Sequence, residues 1–229
     1  MFSIAVSGGA APQATVDDVV AKNLNARGGL LRLRGITTIK KTGTLSMMGN
    51  EAALTVYSKR PDLLRQEMKV NGQTVINGFD GVTPWIVNPI SGATRPIIVS
   101  GPLAATIREQ SEFDGPLVDY KSRGLTVSVE GVELAGEQGV VHLRLTSASK
   151  QVRHLYLDAA TYLDAKLMTE QEQMKLEQVF ADYREVDGIQ VPFVIRTLVN
   201  GVQQSEIRLK QVEFNVKMDD TMFRVPKGS

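Results

Sequence analysis

The 229-residue chain carries 26 Lys and Arg against 25 Asp and Glu, so it offers no overall field to draw in nucleic acid or an anionic membrane surface. It has no cysteine, which excludes a disulfide framework, a thiolate nucleophile and a thiolate metal site. This length suffices for one large β domain or two small ones with a substantial core.

The opening MFSIAVSGGAAPQA puts a short apolar run, Phe2 to Val6, ahead of small residues and an Ala-rich stretch. It reads either as the tail of an export signal without its basic leading region or as a plain disordered start. Residues 1–14 are set apart on this basis, and 15–229 are taken as a single folded domain. No later window approaches the roughly 20 apolar residues of a membrane-spanning helix, so a soluble product without a transmembrane segment is expected.

TVDDVVAKNLNARGG is the strongest helix signal. Thr15 and Asp18 fit a capping box, Val16, Val19, Val20 and Leu24 share a face, and Gly28-Gly29 supply the stop. After Gly35 the hydrophobic period falls to two: Ile39, Leu45 and Met47 share one parity, and Leu54 and Val56 stand opposite Thr55 and Tyr57. Leu64, Met68 and Val70 alternate with Arg65, Glu67 and Lys69, which read as the solvated face, and Asn71-Gly72 predicts a two-residue hairpin turn. The pattern lapses over 100–123, where two short helices are expected, one around Leu103 and Ile107 and one near Leu117 and Tyr120. From Leu125 the two-residue period resumes and runs to the C-terminus, with a bulge expected at Gly131 and turns at Asp187-Gly188 and Asn200-Gly201. The sum is a mainly β fold with a few α-helices. It is read as one strongly curved, incompletely closed antiparallel β-barrel of roughly 10–11 strands, with helices as a lid over an apolar cavity.

Signals for catalysis are sparse. His142 and His154 stand twelve apart without a third ligand at metal-binding spacing, so they read as ordinary strand histidines and no metal or cofactor is expected. No nucleophile elbow, P-loop or dinucleotide-binding glycine pattern is present. Asp114 and Asp119 offer a carboxylate pair on paper, but Asp-Gly-Pro is turn vocabulary, which favours a capping or surface role. Two stretches stand out instead. In FDGVTPWIVNP the only tryptophan, Trp85, lies in a short strand bounded by prolines, where its ring either packs in the core or lines a hollow. In YSKRPDLLRQEMKV, Pro61 restricts Arg60 to extended geometry and so fixes where its guanidinium leaves the backbone.

VYSKRPDLLRQEM followed by FDGVTPWIVNP resembles the outer-membrane lipoprotein-sorting family, the LolA/LolB-like periplasmic carriers. The likeness continues more weakly through YLDAATYLDAKL, DYREVDGIQVPFVI and DDTMFRVP. The resemblance implies a non-catalytic, monomeric, periplasmic carrier whose lidded cavity receives acyl chains of a lipoprotein or lipid. In that family the arginine of K-R-P lies inside the cavity and bonds backbone groups of the lid, a role that maps onto Arg60, with Lys59 outward; the alternative is a solvated basic pair at a strand end. Leu54, Val56, Met68 and Trp85 are the expected cavity-lining positions. The connection over 90–123 and its GPLVDY piece depart from the sorting carriers, which points to an uncharacterised relative. Lipoprotein sensing, with an envelope protein as partner, is the other role the motifs allow.

Overall fold

The computed structural model describes residues 15–226 apart from 136–137 and 172–173; the expected export remnant at 1–14 lies outside the described residues. Helix α1 (Val16–Ala26) begins as its sequence dictates: the Thr15 hydroxyl accepts from the Asp18 N–H at 3.2 Å and the Asp18 carboxylate reaches back to the Thr15 N–H at 3.4 Å. Gly28 and Gly29, both at positive φ, end it. A second helix follows that the hydrophobic period does not reveal, α2 (Leu30–Gly35).

The remainder is one antiparallel sheet of thirteen strands: β1 (Thr38–Met47), β2 (Asn50–Lys59), β3 (Leu63–Val70), β4 (Gln73–Phe79), β5 (Pro84–Asn88), β6 (Ala93–Ile98), β7 (Thr126–Ala135), β8 (Gln138–Thr146), β9 (Val152–Asp158), β10 (Asp164–Gln171), β11 (Met174–Val186), β12 (Ile189–Val199) and β13 (Val202–Phe214). Neighbours in sequence pair as a meander, except that β6 and β7 stand at opposite edges and β1 also pairs with β13, giving the order β6-β5-β4-β3-β2-β1-β13-β12-β11-β10-β9-β8-β7. The sheet curves strongly without closing. Hairpin turns fall where the dipeptides require: Asn71-Gly72, Asp187-Gly188 and Asn200-Gly201 all adopt the paired positive-φ conformation. The bulge forms at Gly131 (φ 150°).

Residues 99–125 run from edge strand β6 to edge strand β7. They contain one helix, α3 (Gly101–Ser111), and the second expected helix is replaced by turns. The piece around Leu117 and Tyr120 is nevertheless buried, together with Val118, because it plugs the inner face instead of building a helix.

The principal core lies on that inner face under α1 and α2. Val19, Val20, Leu24, Leu33, Leu117 and Val118 meet Leu143, Leu145, Leu155 and Leu157 from β8 and β9. Asn23 pins α1 there, donating from Nδ2 to the Tyr162 carbonyl and the Asp164 carboxylate, both at 2.8 Å. A smaller cluster of Leu64, Phe79 and Ile107 seats α3 on β3 and β4. No helix among the described residues is long and apolar enough to cross a membrane.

Candidate functional site

Residues 59–62, at the end of β2 and just past it, do different work, and together they fasten three parts of the chain. The Lys59 side chain leaves on the outer face, donating to the Met218 carbonyl at 3.2 Å and pairing with Asp220 at 2.5 Å. The Arg60 guanidinium turns the other way. Its Nε donates to the Ile36 carbonyl at 2.6 Å and its Nη2 to the Leu33 carbonyl at 3.1 Å, which also accepts the Ile36 N–H at the C-terminal end of α2. Both terminal nitrogens also grip the Asp114 carboxylate, Nη2 at 2.6 Å and Nη1 as its partner on the second oxygen. The fork shape of a guanidinium permits this bidentate pair beside two carbonyl bonds. The Phe113 ring lies 4.6 Å under the cation. Past Pro61, Asp62 accepts the Phe113 N–H at 3.1 Å, and Arg27 from the end of α1 donates to the Asp114 carbonyl at 3.3 Å. The connection after α3 is thus held at Phe113–Asp114 from three directions.

Leu54, Val56 and Met68 share the inner face, as register requires: Leu54 opposes Met68, and Val56 opposes Gln66. Leu54 is buried, whereas Val56 and Met68 are half-buried, as are Val75 and Ile86 on the same face. This part of the sheet floor is an incompletely covered apolar trough beside α3. Trp85 does not join it. Its cross-strand partner is Gly78, which shares a face with Arg65 and Tyr57, so the ring lies on the outer face. There it is fully buried, donating from Nε1 to the Phe223 carbonyl at 3.0 Å. Of its two expected settings, the structure has the packed one. Gly78 makes the room: a Cβ there would stand 2.2 Å from the indole ring. Arg65 is less solvated than its alternation suggests, because it lies against this ring and donates to the Met222 carbonyl at 3.1 Å.

Helix α3 has two unlike sides. Ile107 packs on Leu64 and Phe79. Across from it, Arg153 on the β9 wall pairs with Glu112 at 3.0 Å and approaches Glu109 at 4.0 Å, while Arg123 reaches Glu112 at 3.6 Å. Burial pushes the Glu109 carboxyl above its ordinary range, although Arg153 and a hydrogen bond from Thr169 act against this. A cleft of about 700 Å³ opens between α3 and the β9–β10 wall. Its lining mixes Pro102, Ala105, Leu125 and Val152 with Arg108 and Arg153, so it is not the uniformly apolar hollow expected. The polar residues enter because α3 docks on this wall through ion pairs.

The carboxylates and histidines noted in the sequence do not converge. Asp114 belongs to Arg60, and Asp119 pairs separately with Arg34. His142 and His154 lie on the outer face, opposite in parity to the buried Leu143 and Leu155. There Nε2 of one is 2.8 Å from Nδ1 of the other, and Glu133 is 2.6 Å from His142. Their spacing of twelve brings them together because β8 and β9 form a hairpin. Among the described residues no group of three His, Asp or Glu side chains is arranged to hold a metal.

A strongly curved, open antiparallel sheet with helices on its inner face is the LolA-like fold, and solved structures match it over nearly the whole chain. A DUF1329 family protein from Desulfovibrio piger is 13% identical, with a TM-score of 0.62 over 93% of this chain and 98% of that one. A LolA superfamily protein from Nitrosomonas europaea is 13% identical, with a TM-score of 0.61 over 93% and 98%. An outer membrane lipoprotein-sorting protein domain from Vibrio parahaemolyticus is 12% identical, with a TM-score of 0.60 over 90% and 94%. No family model and no curated protein matches the chain.

Proposed function

We propose that this protein is a monomeric, non-catalytic carrier of the bacterial periplasm that shields acyl chains of a lipoprotein or lipid in the trough beneath α3, without a cofactor. The observation that carries this reading is the pairing of a half-covered apolar floor with a lid connection that Arg60 grips between the end of α2 and Asp114. Each methylene withdrawn from water contributes about 0.8 kcal/mol, so a long chain supplies ample affinity and its release requires the floor to be uncovered again. Arg60 is suited to govern that step. Its acceptors on α2 are neutral carbonyls and its carboxylate partner sits on the lid connection, so moving the lid exchanges these bonds for water without breaking a helix or strand. Leu54, Val56 and Met68 are the wall against which the chain lies; Trp85, on the other face, stiffens the floor.

The test is native mass spectrometry and organic extraction of protein purified from a bacterial periplasm, beside an Arg60→Leu variant. Co-purified acylated molecules, with altered retention in the variant, are expected. An empty protein that also fails to bind a fluorescent fatty acid would overturn the carrier role. A second reading, an envelope protein-interaction or lipoprotein-sensing domain, is favoured by a separate observation: both sheet edges are open and expose apolar residues, Ile97 and Ile98 on β6 and Val132 and Leu134 on β7. Such edges suit strand addition by a protein partner, and a pull-down that loses its partner on Val132→Lys would establish it.

A further inference from the structure

Strand β1 presents two adjacent lysines to opposite faces of the sheet. Lys40 points outward and pairs with Glu213 at 3.4 Å. Lys41 points inward, where its cross-strand neighbours are Val56 and Val212, residues that pack under α3 and under α1 and α2 respectively. Among the described residues Lys41 makes no hydrogen bond and no ion pair. The residue is half-buried, so its ammonium stands beside apolar walls with solvent but no protein acceptor, which is a cost to the folded state. Burial pushes the Lys41 amine below the ordinary lysine range, and the charged neighbour acting on it, Arg27, is a second cation that adds to the effect.

The row that begins at Lys41 continues across the floor. Val56 opposes Gln66, and Gln66 opposes Asn77, so Lys41, Gln66 and Asn77 lie in one row of about 14 Å at ordinary strand spacing, with Val56 between the lysine and the two amides. Asn77 donates to the Gln66 carbonyl oxygen at 3.2 Å, which leaves the Gln66 Nε2 group without a bond among the described residues. On one side of the row lie Leu64 and Phe79 under the lid; on the other lie Leu54, Met68 and Val75. Donors without acceptors therefore cross a floor that is apolar on both sides, and the missing partner is an anion attached to something apolar.

We infer that the trough takes a long-chain carboxylic acid, its carboxylate paired with the Lys41 ammonium, with the Gln66 amide as a second donor in the same row, and its alkyl chain laid over Leu54, Met68 and Val75. This rests on the acyl-binding reading above and adds the headgroup to it. The carboxylate supplies the charge that the inner face lacks beside Lys41, and an uncharged headgroup would leave the ammonium as it stands. Hydrogen bonds to charged groups contribute about 1.5–3 kcal/mol, which corresponds to roughly 10- to 100-fold in affinity.

The experiment is displacement of a neutral dye, N-phenyl-1-naphthylamine, by dodecanoic acid and by dodecan-1-ol at pH 7, for the native protein and for Lys41→Met and Met68→Asp variants. The acid is expected to displace the dye at a concentration at least about tenfold lower than the alcohol. Lys41→Met should bring the acid to the level of the alcohol without lowering Tm, since it removes only an unpaired charge beside apolar walls, so misfolding cannot explain the loss. Met68→Asp should weaken both ligands. Equal potency of acid and alcohol in the native protein, or an acid preference that survives Lys41→Met, would overturn the headgroup assignment and leave the acyl-binding reading standing. Failure of both ligands to displace a dye that binds would overturn both.

Discussion

The two halves of the sheet share curvature and strand chemistry, yet only one is filled. Over β7 to β13 the inner face carries α1, α2 and the buried Leu117–Val118 plug, and Leu143, Leu145, Leu155 and Leu157 beneath them are at most 1% exposed. Over β1 to β6 the only α-helix among the described residues is α3. It touches the floor through Ile107 and leaves Val56, Met68 and Val75 half-covered. A sheet that curves this way forms a concave surface whether or not it has anything to place there. What differs is where the chain spends its helices: three segments plug the C-terminal half and one bridges the other. The filled half is the scaffold, and the bridged half retains room to change.

That contrast can be broken most forcefully in the scaffold. Leu157→Ala should cost about 3 kcal/mol or more through lost contacts and a residual cavity, lowering Tm by roughly 6–12 °C for a chain of this size; thermal unfolding by circular dichroism measures it. A loss below about 1 kcal/mol would mean that the filled half is as yielding as the other. Arg60→Leu comes next. It removes the bonds from Arg60 to the end of α2 and strands the Asp114 carboxylate, for an expected loss of about 2 kcal/mol, and it should speed amide exchange in residues 101–124 far more than in β8 and β9. Uniform exchange would show that the arginine supports the whole fold and does not hold the lid in particular. Met68→Ala sharpens the comparison from the open side: a half-buried site on an uncovered floor should lose less than about 1 kcal/mol, while affinity for dodecanoic acid falls several-fold by dye displacement.

The smallest expected effect is one of pH. Because burial raises the Glu109 carboxyl in the folded protein, the folded state binds that proton more tightly than the unfolded chain does. Stability contributed by the protonated form is therefore present at low pH and is lost as pH climbs from the ordinary glutamate range through the raised folded value. Relative to the native protein, Glu109→Gln should gain stability as pH rises across that window, read as a difference in Tm between about pH 4 and pH 7. A difference that stays flat would mean that Arg153 fully compensates the burial.

Much of this arrangement could be read from particular residues. Thr15 and Asp18 announce α1, Asn71-Gly72 and its counterparts announce hairpins, and the two-residue period places Leu54, Val56 and Met68 on one face. The expectation of 10–11 strands falls short of thirteen because a short edge strand such as β6 carries a proline and little alternation. Helix α2 escapes notice for a related reason: six residues between glycines give no full hydrophobic period, and its hold on the fold comes from Leu33 and from carbonyls that accept from Arg60. The face of Trp85 was undecided because prolines bracket its strand, although Gly78 inside a neighbouring strand was a usable signal, since a strand glycine often marks something large lying across it. Asp114 was discounted as turn vocabulary. Its pairing with Arg60 joins residues 54 positions apart, and no local pattern encodes such a contact.

The pairing of β1 with β13 has a bearing on how this chain reaches its native form. Each half can zip its hairpins locally, but Ile39 must find Phe214 before the two meanders become one sheet. Closing a loop of that length is entropically slow, and proteins rich in such distant contacts fold on the slower end of the known range. Until the last strand arrives, one side of β1 is an unpaired edge and the two halves are separate sheets. The seam between the filled half and the bridged half therefore forms only when the C-terminal strand has been laid down beside the first.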